Sequence, residues 1–417
     1  MSDDRGVAHD TDTSALLSVE DYARHVSELL SPTPVRNLPL EDCLGLALAE
    51  PVTTGIPLPP FDNSAMDGYA VRAADLEGAT GERPVTLPVT DDVPAGRVEV
   101  AELSPGTAQR IMTGAQLPPG ADATVAVEHT DGGTERVAVR TTVSPGANVR
   151  RAGEDVSEGD TVLHRGDTLG AARLGMAAAV GRAELPVHRP VRVLVLSTGS
   201  ELVEPGEPLE RGQIHESNGT MLAAAVRQCG GETRLLRFVP DDTDAFHAAL
   251  EPHLEWTDLI LTSGGVSAGA YEVVKDALEH SEVRFHRVAI QPGMPQGAGH
   301  YTSGGHRIPV ITLPGNPVSS IVSFEVFVRP ALRQAGGHHR THRPFRWARL
   351  TGRLRSSPGK RQYRRGTFDP ASDSVTVPGG AGSHLLSGMA EADCLVELPE
   401  DSTEVAEGTT VRVWLLD

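Results

Sequence analysis

The sequence predicts a multidomain α/β protein with further β-rich regions, and three patterns support this fold class. Between residues 190 and 313, short apolar runs alternate with helical segments, which is typical of a doubly wound, mostly parallel sheet. Residues 52–143 contain short β-like runs broken by glycine and proline. Beyond Gly337 only β patterns occur, which predicts a small barrel or sandwich at the C-terminal end.

The N-terminal third is predicted to form a mixed α/β lobe that is interrupted by a β-rich lobe. We expect residues 1–14 to be disordered, and Ser18 to cap a helix that runs to about Leu30. A short second helix is predicted over residues 40–49, ending before Pro51. After the β-like runs the sequence again shows both helical and β patterns, with a helix predicted over about 170–181. The simplest arrangement is a discontinuous first domain, 15–51 and 144–188, with 52–143 inserted.

The remaining chain is predicted to form an α/β domain over 189–336 and a β domain over 337–417. In the first, the predicted elements are strand 191–197, helix 220–229, strand 233–239, helix 243–254, strand 258–262, helix 271–280, strand 283–290 and strand 308–313. In the second, β patterns lie at 347–350, 374–377, 394–398 and 410–415.

Composition excludes several classes of protein. The 417 residues carry 37 Lys and Arg against 56 Asp and Glu, a formal net charge of −19, which argues against a nucleic-acid-binding surface. No apolar run approaches the roughly 18–20 residues that span a bilayer, and the polar, acidic N-terminus lacks signal-peptide features. Cys43, Cys229 and Cys394 are too far apart for a Cys-x-x-Cys site. We therefore expect a cytoplasmic protein that does not associate with membranes.

Two glycine-containing turns follow apolar runs of the α/β domain, and the chain is organised around them. The first is Ser263-Gly-Gly-Val-Ser267 and the second is Pro314-Gly-Asn-Pro317. Turns at the carboxyl ends of parallel strands are where such sheets bind ligands, and free N–H groups at a helix start attract phosphate. Asn316 is a plausible N-cap there. For each turn alone an ordinary βα turn is the favoured interpretation, but the pair, with hydroxyl groups at Ser263, Ser267 and Ser319, favours a ligand site.

Two polar segments in the first 155 residues also admit a functional interpretation. The loop Pro59-Pro-Phe-Asp-Asn-Ser-Ala-Met-Asp-Gly-Tyr-Ala70 is dense in short polar groups. Such groups usually bond their own backbone in turns, so a ligand loop and an ordinary loop are about equally compatible with it. Arg150-Arg-Ala-Gly-Glu-Asp155 combines guanidinium groups that could bind phosphate with carboxylates that could bind Mg²⁺, although a solvated charge cluster is the simpler interpretation.

Carboxylates follow several predicted strands of the α/β domain and suggest a divalent cation. Glu201 follows the first strand, Asp241 follows the second, and Glu272 follows the glycine pair. If they converge near Gly264 and an anion also binds there, a cation such as Mg²⁺ would bridge the two. Asp241 could equally be an N-cap. The sixteen histidines show no metal-binding spacing.

Six motifs, in order along the chain, resemble the MoeA family of molybdopterin molybdenumtransferases, which is related to the E domain of gephyrin. They are Phe61-Asp-Asn-Ser-Ala-Met-Asp-Gly-Tyr69, Arg110-Ile-Met-Thr-Gly-Ala115, Arg151-Ala-Gly-Glu-Asp155, Ser197-Thr-Gly199, Thr262-Ser-Gly-Gly-Val-Ser267 and Leu313-Pro-Gly-Asn-Pro317. The resemblance spans about residues 19–416. It implies four domains, with a molybdopterin-binding α/β domain and a C-terminal β-barrel.

The resemblance also implies an activity, which is insertion of molybdate into adenylylated molybdopterin with release of AMP, assisted by Mg²⁺. It further implies a homodimer and transient contact with the adenylyltransferase of the same pathway. The residues that it implies as catalytic are Asp67, Asp155, Glu201, Asp241 and Glu272, and the last three would also bind the metal. Those implied as substrate-binding are Thr113, Ser263, Gly264, Gly265, Ser267, Pro314, Gly315, Asn316, Pro317, Ser319, Arg365 and Ser383, with Arg365 linked to molybdate.

The sequence departs from the family pattern at three places. Gln291-Pro-Gly-Met-Pro295 stands where the family usually has lysine at the first and fourth positions, so either arginines such as Arg287 compensate or anion affinity is lower. Ser200 stands where an aspartate is common, and Glu272 replaces an aspartate. The alternatives are a gephyrin-like scaffold or a molybdopterin-binding protein with weakened catalysis. A third alternative is the adenylyltransferase of the same pathway, whose fold resembles residues 190–335. Such proteins consist of that domain alone, so the lobes on either side of it in this chain argue against this alternative.

Overall fold

A computed structural model describes residues 16–199, 201–239, 243–264, 281–380 and 382–416. The chain divides into two compact units. Unit 1 contains the chain up to Glu50, Arg165–Gly170 and everything from Glu184 onward, and unit 2 contains Pro51–His164 and Ala171–Ala183. No helix within the described ranges is long and apolar enough to cross a membrane. The four-domain division of the sequence stays a prediction.

The first described elements of unit 1 are helix α1, Val19–Leu29, and strand β1, Val35–Pro39. The Ser18 side chain accepts a hydrogen bond from the backbone N–H of Asp21, which confirms the predicted N-cap. The predicted helix over 40–49 is wrong, since only a 3-10 turn forms at Leu40–Asp42. Residues 47 and 48 instead make β-bridges, because tertiary backbone pairing overrides their local helical preference.

Unit 2 is β-rich, as the sequence predicts. Its strands are β2 Val52–Thr53, β3 Asn63–Ser64, β4 Gly68–Val71, β5 Val85–Val93, β6 Ala108–Ile111, β7 Ala123–Ala126, β8 Arg136–Val139, β9 Val149–Arg150 and β10 Thr161–Leu163. Helix α2, Ala171–Ala179, confirms the predicted helix over 170–181. The order of the main sheet is β7-β4-β6-β5-β8, and short pairs form between β2 and β10 and between β3 and β9. One core of this sheet packs around Tyr69, Leu76 and Val125.

The α/β part of unit 1 contains most of the elements that the alternating pattern predicts. They are β11 Glu184–His188, β12 Arg192–Thr198, β13 Leu202–Val203, β14 Ile214–His215, α3 Asn218–Gln228, β15 Glu232–Val239, α4 Thr243–Leu250, β16 Leu259–Ser263, β17 Arg284–Arg287, β18 Ile290–Gln291, β19 Pro295–Ser303, β20 His306–Leu313, α5 Pro317–Ser323 and α6 Arg329–Ala335. A π-helical segment, Phe324–Val328, joins the last two helices. The predicted helix over 271–280 lies outside the described residues.

The six-stranded sheet of unit 1 has the order β15-β12-β16-β20-β19-β17. The first four strands are parallel, and β19 runs antiparallel to both neighbours, so the sheet is mostly parallel as predicted. Alternate residues of β12 face two different cores: Val193 and Val195 pack with α3 and α5 residues, whereas Leu194 and Leu196 pack with α4 residues. Helices therefore cover both faces, and the parallel strands present their carboxyl ends at one edge.

The C-terminal part of unit 1 is a closed five-stranded barrel, which decides between the two predicted architectures. Its elements are β21 Phe345–Leu350, β22 Leu354–Arg355, β23 Arg361–Asp369, β24 Ser374–Thr376, α7 Leu386–Ala390, β25 Cys394–Leu398, β26 Glu404–Val405 and β27 Thr410–Leu415. The order is β23-β24-β21-β27-β25, and β25 closes the barrel by pairing with β23. The short strand β18 pairs with β23 from outside the barrel and so joins it to the α/β part.

Candidate functional site

The two turns that the sequence singles out lie together at the carboxyl edge of the sheet. The backbone N–H of Gly264, which follows β16, donates to the carbonyl of Leu313 at the end of β20 (3.0 Å). A Cβ atom at Gly315 would lie 3.6 Å from the Cα of Gly264, so the turns are in van der Waals contact. Gly264 has a φ of +96°, a conformation that favours glycine. Gly265 and Ser267 lie outside the described residues.

At the start of α5, the hydrogen-bond acceptor comes from the loop that carries Ser383 and not from the N-cap side chain. Asn316 holds the N-cap position and Pro317 the first helical position, but Asn316 makes no side-chain bond to the helix. Its Nδ2 donates to Ser383 Oγ (2.9 Å), and the N–H of Val318 donates to the carbonyl of Ser383 (3.1 Å). The predicted N-cap therefore holds as a position but not as a side-chain bond, because Ser383 provides the acceptor. Ser319 is buried behind this contact.

Arg365 fixes the loop that carries Ser383. Its Nη1 donates to the carbonyls of Gly382 (3.0 Å) and Leu385 (3.3 Å), and its Nη2 donates to that of Gly380 (2.7 Å). The side chain is buried, and burial lowers the pKa of its guanidinium from the usual value. Among the described ion pairs none involves Arg365, so its charge is not neutralised by a described carboxylate.

A small cavity lies beside Arg365, lined in part by Gln291, Pro292 and Arg364. Gln291 Oε1 accepts a hydrogen bond from Gln362 Nε2 (3.2 Å), so this residue lies against the barrel strand β23. Close by in sequence, the Nη2 atom of Arg287 lies 3.8 Å from the Sδ of Met294. A guanidinium group therefore lies beside one of the two positions at which the family resemblance predicts lysine.

In unit 2, Asp67 and Thr113 form a direct pair. Asp67 Oδ1 accepts hydrogen bonds from the backbone N–H (2.6 Å) and the hydroxyl (2.8 Å) of Thr113. These two bonds lower the pKa of Asp67, the backbone N–H having the larger effect. The carboxylate is thus exposed, and its direction is fixed by Thr113.

Other polar residues of the loop over 59–70 have structural partners. Ser64 Oγ donates to the carbonyl of Met66 (2.6 Å), and Asn63 Nδ2 donates to that of Phe61 (3.1 Å), as in an ordinary turn. Asp62 pairs with Arg151 (2.5 Å) and accepts the N–H of Ala152 (2.8 Å). These bonds lower the pKa of Asp62, with the backbone N–H of Ala152 contributing most. Asp155 belongs to the same unit and is exposed.

The predicted cluster of metal-binding carboxylates lies mostly outside the described residues. Glu201 is exposed, and its Oε2 lies 2.6 Å from where a Cβ atom at Gly199 would be, so the carboxylate folds over this glycine. Asp241 and Glu272 are not among the described residues, and neither is Ser200. Within the described ranges no three His, Cys, Asp or Glu side chains are placed to bind a metal together.

Two residues at the head of α3 belong to the site although no sequence motif singles them out. Glu216 is almost fully buried and accepts hydrogen bonds from Ser197 Oγ (3.0 Å) and the N–H of Gly219 (2.5 Å). Asn218 Nδ2 donates to the carbonyl of Gly315 in the second turn (2.6 Å). The available signal was the polar segment Glu216-Ser-Asn218 directly before a helix, which resembles an ordinary helix start.

Comparison with known sequence families gives three matches that together span most of the chain. Residues 17–181 match the MoeA N-terminal region (domain I and II), residues 194–334 match a probable molybdopterin binding domain, and residues 347–416 match the MoeA C-terminal region (domain IV).

Comparison with individual proteins agrees with these matches. Molybdopterin molybdenumtransferase 2 of Mycobacterium tuberculosis strain H37Rv is 52% identical over 404 residues, covering 95% of this chain and 99% of the relative. Molybdopterin molybdenumtransferase of Haemophilus influenzae is 35% identical over 403 residues, covering 94% and 97%. The crystal structure of the molybdopterin biosynthesis moeA protein from Pyrococcus horikoshii OT3 is similar with a TM-score of 0.79 at 30% identity, covering 96% of this chain and 100% of that one.

Proposed function

The chain belongs to the MoeA family, a family of molybdenum cofactor biosynthesis, and from this premise we propose the reaction that it performs. It is a molybdopterin molybdenumtransferase that inserts molybdate into adenylylated molybdopterin and releases AMP. Adenylylated molybdopterin and molybdate are both anions, so the site must present positive charge and N–H donors to them. The alternative of a gephyrin-like scaffold is not favoured, since relatives that align over nearly the whole chain are named as transferases.

The observation that carries the proposal is the contact between the turn after β20 and the loop fixed by Arg365. Asn316 and Val318 bond to Ser383, while Arg365 holds the carbonyls on either side of that serine. This places a buried, positively charged guanidinium beside the turn that we assign to the pterin and its phosphates. Molybdate, a small oxyanion, would bind near Arg365. The low dielectric constant of this buried region would strengthen its attraction to the guanidinium charge.

Two neutral residues in this region replace the lysines that the family usually has. We propose that Arg287 compensates for Met294, because its guanidinium lies against the end of that side chain. Gln291 brings no charge but remains beside the cavity at Arg365. Oxyanion binding would then depend on arginine, which carries nearly all the positive charge of this lysine-poor sequence.

The remaining site residues take roles that suit their chemistry. Ser263, Gly264, Gly265, Ser267, Pro314, Gly315, Asn316, Pro317 and Ser319 would form the pterin and nucleotide pocket. Asp67, oriented by Thr113, and Asp155 would act on the phosphoanhydride that breaks when AMP leaves. Glu201, Asp241 and Glu272 would hold Mg²⁺, since carboxylate oxygens are the ligands that this ion prefers. When bound, the ion would neutralise charge on the phosphate groups.

The assembly and setting of the enzyme complete the proposal. We place it in the cytoplasm as a homodimer, in transient contact with the adenylyltransferase that supplies its substrate. Light scattering on the purified protein tests the dimer directly, because a monomer at micromolar concentration would contradict it.

A single-turnover assay tests the reaction. The purified protein is mixed with adenylylated molybdopterin, Mg²⁺ and molybdate, and AMP release and metal incorporation are followed together. We expect both products, and we expect both to require molybdate. Asp67→Asn should lose AMP release while it stays folded, whereas the matched variant Asp42→Asn, at an exposed carboxylate that no step uses, should behave as wild type. A wild-type protein that binds the substrate without releasing AMP would refute the transferase activity.

A further inference from the structure

We propose that Glu216 and Asn218 are positioning residues that hold the loops at the carboxyl edge of the sheet in the arrangement that the substrate requires. The inference rests on the proposed function, because it concerns the same pocket. It assigns a role to the connection that follows β14 and to the first residue of α3, where none of the predicted site residues lies. Three loops are involved: the end of β12, the head of α3, and the turn after β20.

Glu216 joins the end of β12 to the head of α3. Its side chain is 1% exposed, and its Oε1 accepts from both Ser197 Oγ and the N–H of Gly219. A carboxylate at a helix N-terminus is stabilised by the helix dipole and by charge-assisted hydrogen bonds. The Nε of Arg237 lies 3.9 Å from Oε2 and supplies an opposite charge. This buried anion therefore fixes where β12 ends relative to α3.

The absence of a side chain at Gly219 allows a close approach between α3 and its neighbouring strands. A Cβ atom there would lie 2.4 Å from Ser197 Oγ and 2.7 Å from Leu235 Cδ1, both closer than carbon atoms approach such neighbours. A larger residue at position 219 would therefore displace the side chains of Ser197 and Leu235 and disturb the contact between α3 and β12.

Asn218 extends the connection to the second ligand turn. Its Nδ2 donates to the carbonyl of Gly315, and the reverse orientation of the amide would place Oδ1 against that carbonyl, so the observed orientation is the stable one. Gly315 contacts Gly264 of the first turn and precedes Asn316, which bonds to Ser383. The Asn218 amide therefore anchors the turn after β20, which in turn contacts both Gly264 and the loop that carries Ser383.

Variants of Asn218 give the most direct test, since this side chain is only partly buried and the protein should still fold. Asn218→Ala removes the bond to Gly315, whereas Asn218→Asp keeps the shape but places a carboxylate oxygen against the carbonyl. We expect the dissociation constant of adenylylated molybdopterin to rise about fivefold for the alanine variant and further for the aspartate variant. The matched control Asn37→Ala, on the exposed strand β1, should bind as wild type. Binding within twofold of wild type for both variants, or an aspartate variant no worse than alanine, would overturn the proposal.

Glu216 provides a second comparison that separates positioning from stability. Glu216→Gln keeps an oxygen that can accept from Ser197 and Gly219, whereas Glu216→Ala does not. We expect the glutamine variant to bind substrate within threefold of wild type and the alanine variant to bind more weakly. A glutamine variant as defective as alanine would contradict the positioning role of this oxygen.

Amide hydrogen exchange without substrate distinguishes failure of this inference from failure of the proposed function. Peptides that contain residues 312–318 should exchange faster in Asn218→Asp than in wild type, because the turn loses its anchor. If the wild type neither binds nor converts adenylylated molybdopterin, the proposed function is wrong, and exchange still decides whether the anchor exists. Unchanged exchange in Asn218→Asp would overturn the inference on its own.

Discussion

Asp67 owes its charge and its direction to one neighbour, Thr113, which donates two hydrogen bonds to the same carboxylate oxygen. Thr113→Val removes the hydroxyl but keeps the backbone N–H, so the ionised form of Asp67 loses part of its stabilisation. We therefore expect the pKa of Asp67 to rise relative to wild type while remaining below that of an isolated aspartate. A ¹³C NMR titration of the side-chain carboxyl measures this directly.

The control for this pair is Thr113→Ser, which keeps the hydroxyl and should leave the pKa of Asp67 near its wild-type value. An unchanged pKa in Thr113→Val would show that the backbone N–H alone sets the ionisation. In that case the role of the threonine side chain in the site would have to be sought elsewhere.

His338 makes the stability of unit 1 depend on pH. Burial, with the charge of Arg333 as the next cause, lowers its pKa to about 3, and its Nδ1 lies 2.8 Å from Thr168 Oγ1. The unfolded state binds a proton near pH 6.5 and the folded state does not. The contribution of His338 to the free energy of unfolding should therefore be constant above pH 6.5. It should decrease progressively from pH 6.5 toward pH 3, by about 1.4 kcal/mol per unit of pH at most.

Urea unfolding between pH 7.5 and 4 tests this, with a non-titrating variant as the comparison. His338→Asn should lose part of the decline in acid, whereas His306→Asn, at an exposed histidine, should follow the wild-type curve. A decline of equal steepness in His338→Asn and wild type would exclude His338 as its source.

At single residues, the sequence identifies chemistry better than it identifies contacts. The importance of Asp67 and Thr113 follows from the family resemblance, since 46 positions separate them in the chain and spacing alone does not pair them. Asn218 and Gly315 are 97 positions apart, and the polar segment before α3 resembles a common helix start. Such contacts depend on how strands are ordered in a sheet, which no local pattern contains.

Among the elements, β4 carries the strictest steric requirement in unit 2. It lies between β7 and β6, and a Cβ atom at Gly68 would lie 1.9 Å from the carbonyl oxygen of Val125. Because backbone cannot move aside as a side chain can, we expect Gly68→Ala to lower the free energy of unfolding by about 2 kcal/mol or more. Gly55→Ala, in open space in the same unit, should change it by less than about 0.5 kcal/mol.

Circular dichroism during denaturant unfolding measures both variants. Equal stability of Gly68→Ala and Gly55→Ala would mean that β4 and β7 can separate without cost, contrary to their close packing. A loss in Gly68→Ala should also disturb Asp67, the residue before it, so the AMP-release assay provides an independent check.

Two elements show where local patterns mislead. Residues 40–49 have helical spacing, yet Gly45 adopts a φ of +80° and residues 47 and 48 pair with other segments of unit 1. Strand β19 was not predicted, because Gly297 and Gly299 have low strand propensity. The structure explains why glycine stands at these two positions. A Cβ at Gly297 would lie 2.2 Å from Thr312 Oγ1, and one at Gly299 would lie 2.2 Å from the carbonyl oxygen of Glu282. Gly297 allows close packing between β19 and β20, and Gly299 allows the segment before β17 to approach β19.

At the scale of the whole molecule, the alternating pattern predicts the fold class because it reflects the burial of both sheet faces. Parallel strands covered by helices are apolar in their central residues, as residues 193–196 and 259–261 are, and this signal survives errors in single elements. The closure of the C-terminal strands into a barrel was not predictable to the same degree. It depends on β25 pairing with β23, a contact between strands that flank a long connection.

Arg361 links the ends of the chain within unit 1, and its removal should weaken this unit as a whole. Its guanidinium lies 2.6 Å from Glu20 in α1, 2.7 Å from Glu400, and 3.8 Å from Glu397 in β25, and the arginine side chain is 19% exposed. Breaking a fully buried ion pair costs roughly 3–5 kcal/mol. Because Glu20 and Glu400 are substantially exposed, we expect the free energy of unfolding to fall by about 2 kcal/mol in Arg361→Met, which keeps the aliphatic stem.

The matched control is Arg353→Met, which breaks an exposed pair with Glu404 and should lower the free energy of unfolding by less than about 0.5 kcal/mol. Urea unfolding at low and at 1 M salt distinguishes the two cases, since salt should reduce the small effect of Arg353 more completely than that of the shielded Arg361. Equal effects at both sites would show that Arg361 behaves as an ordinary surface charge and does not tie α1 to the barrel.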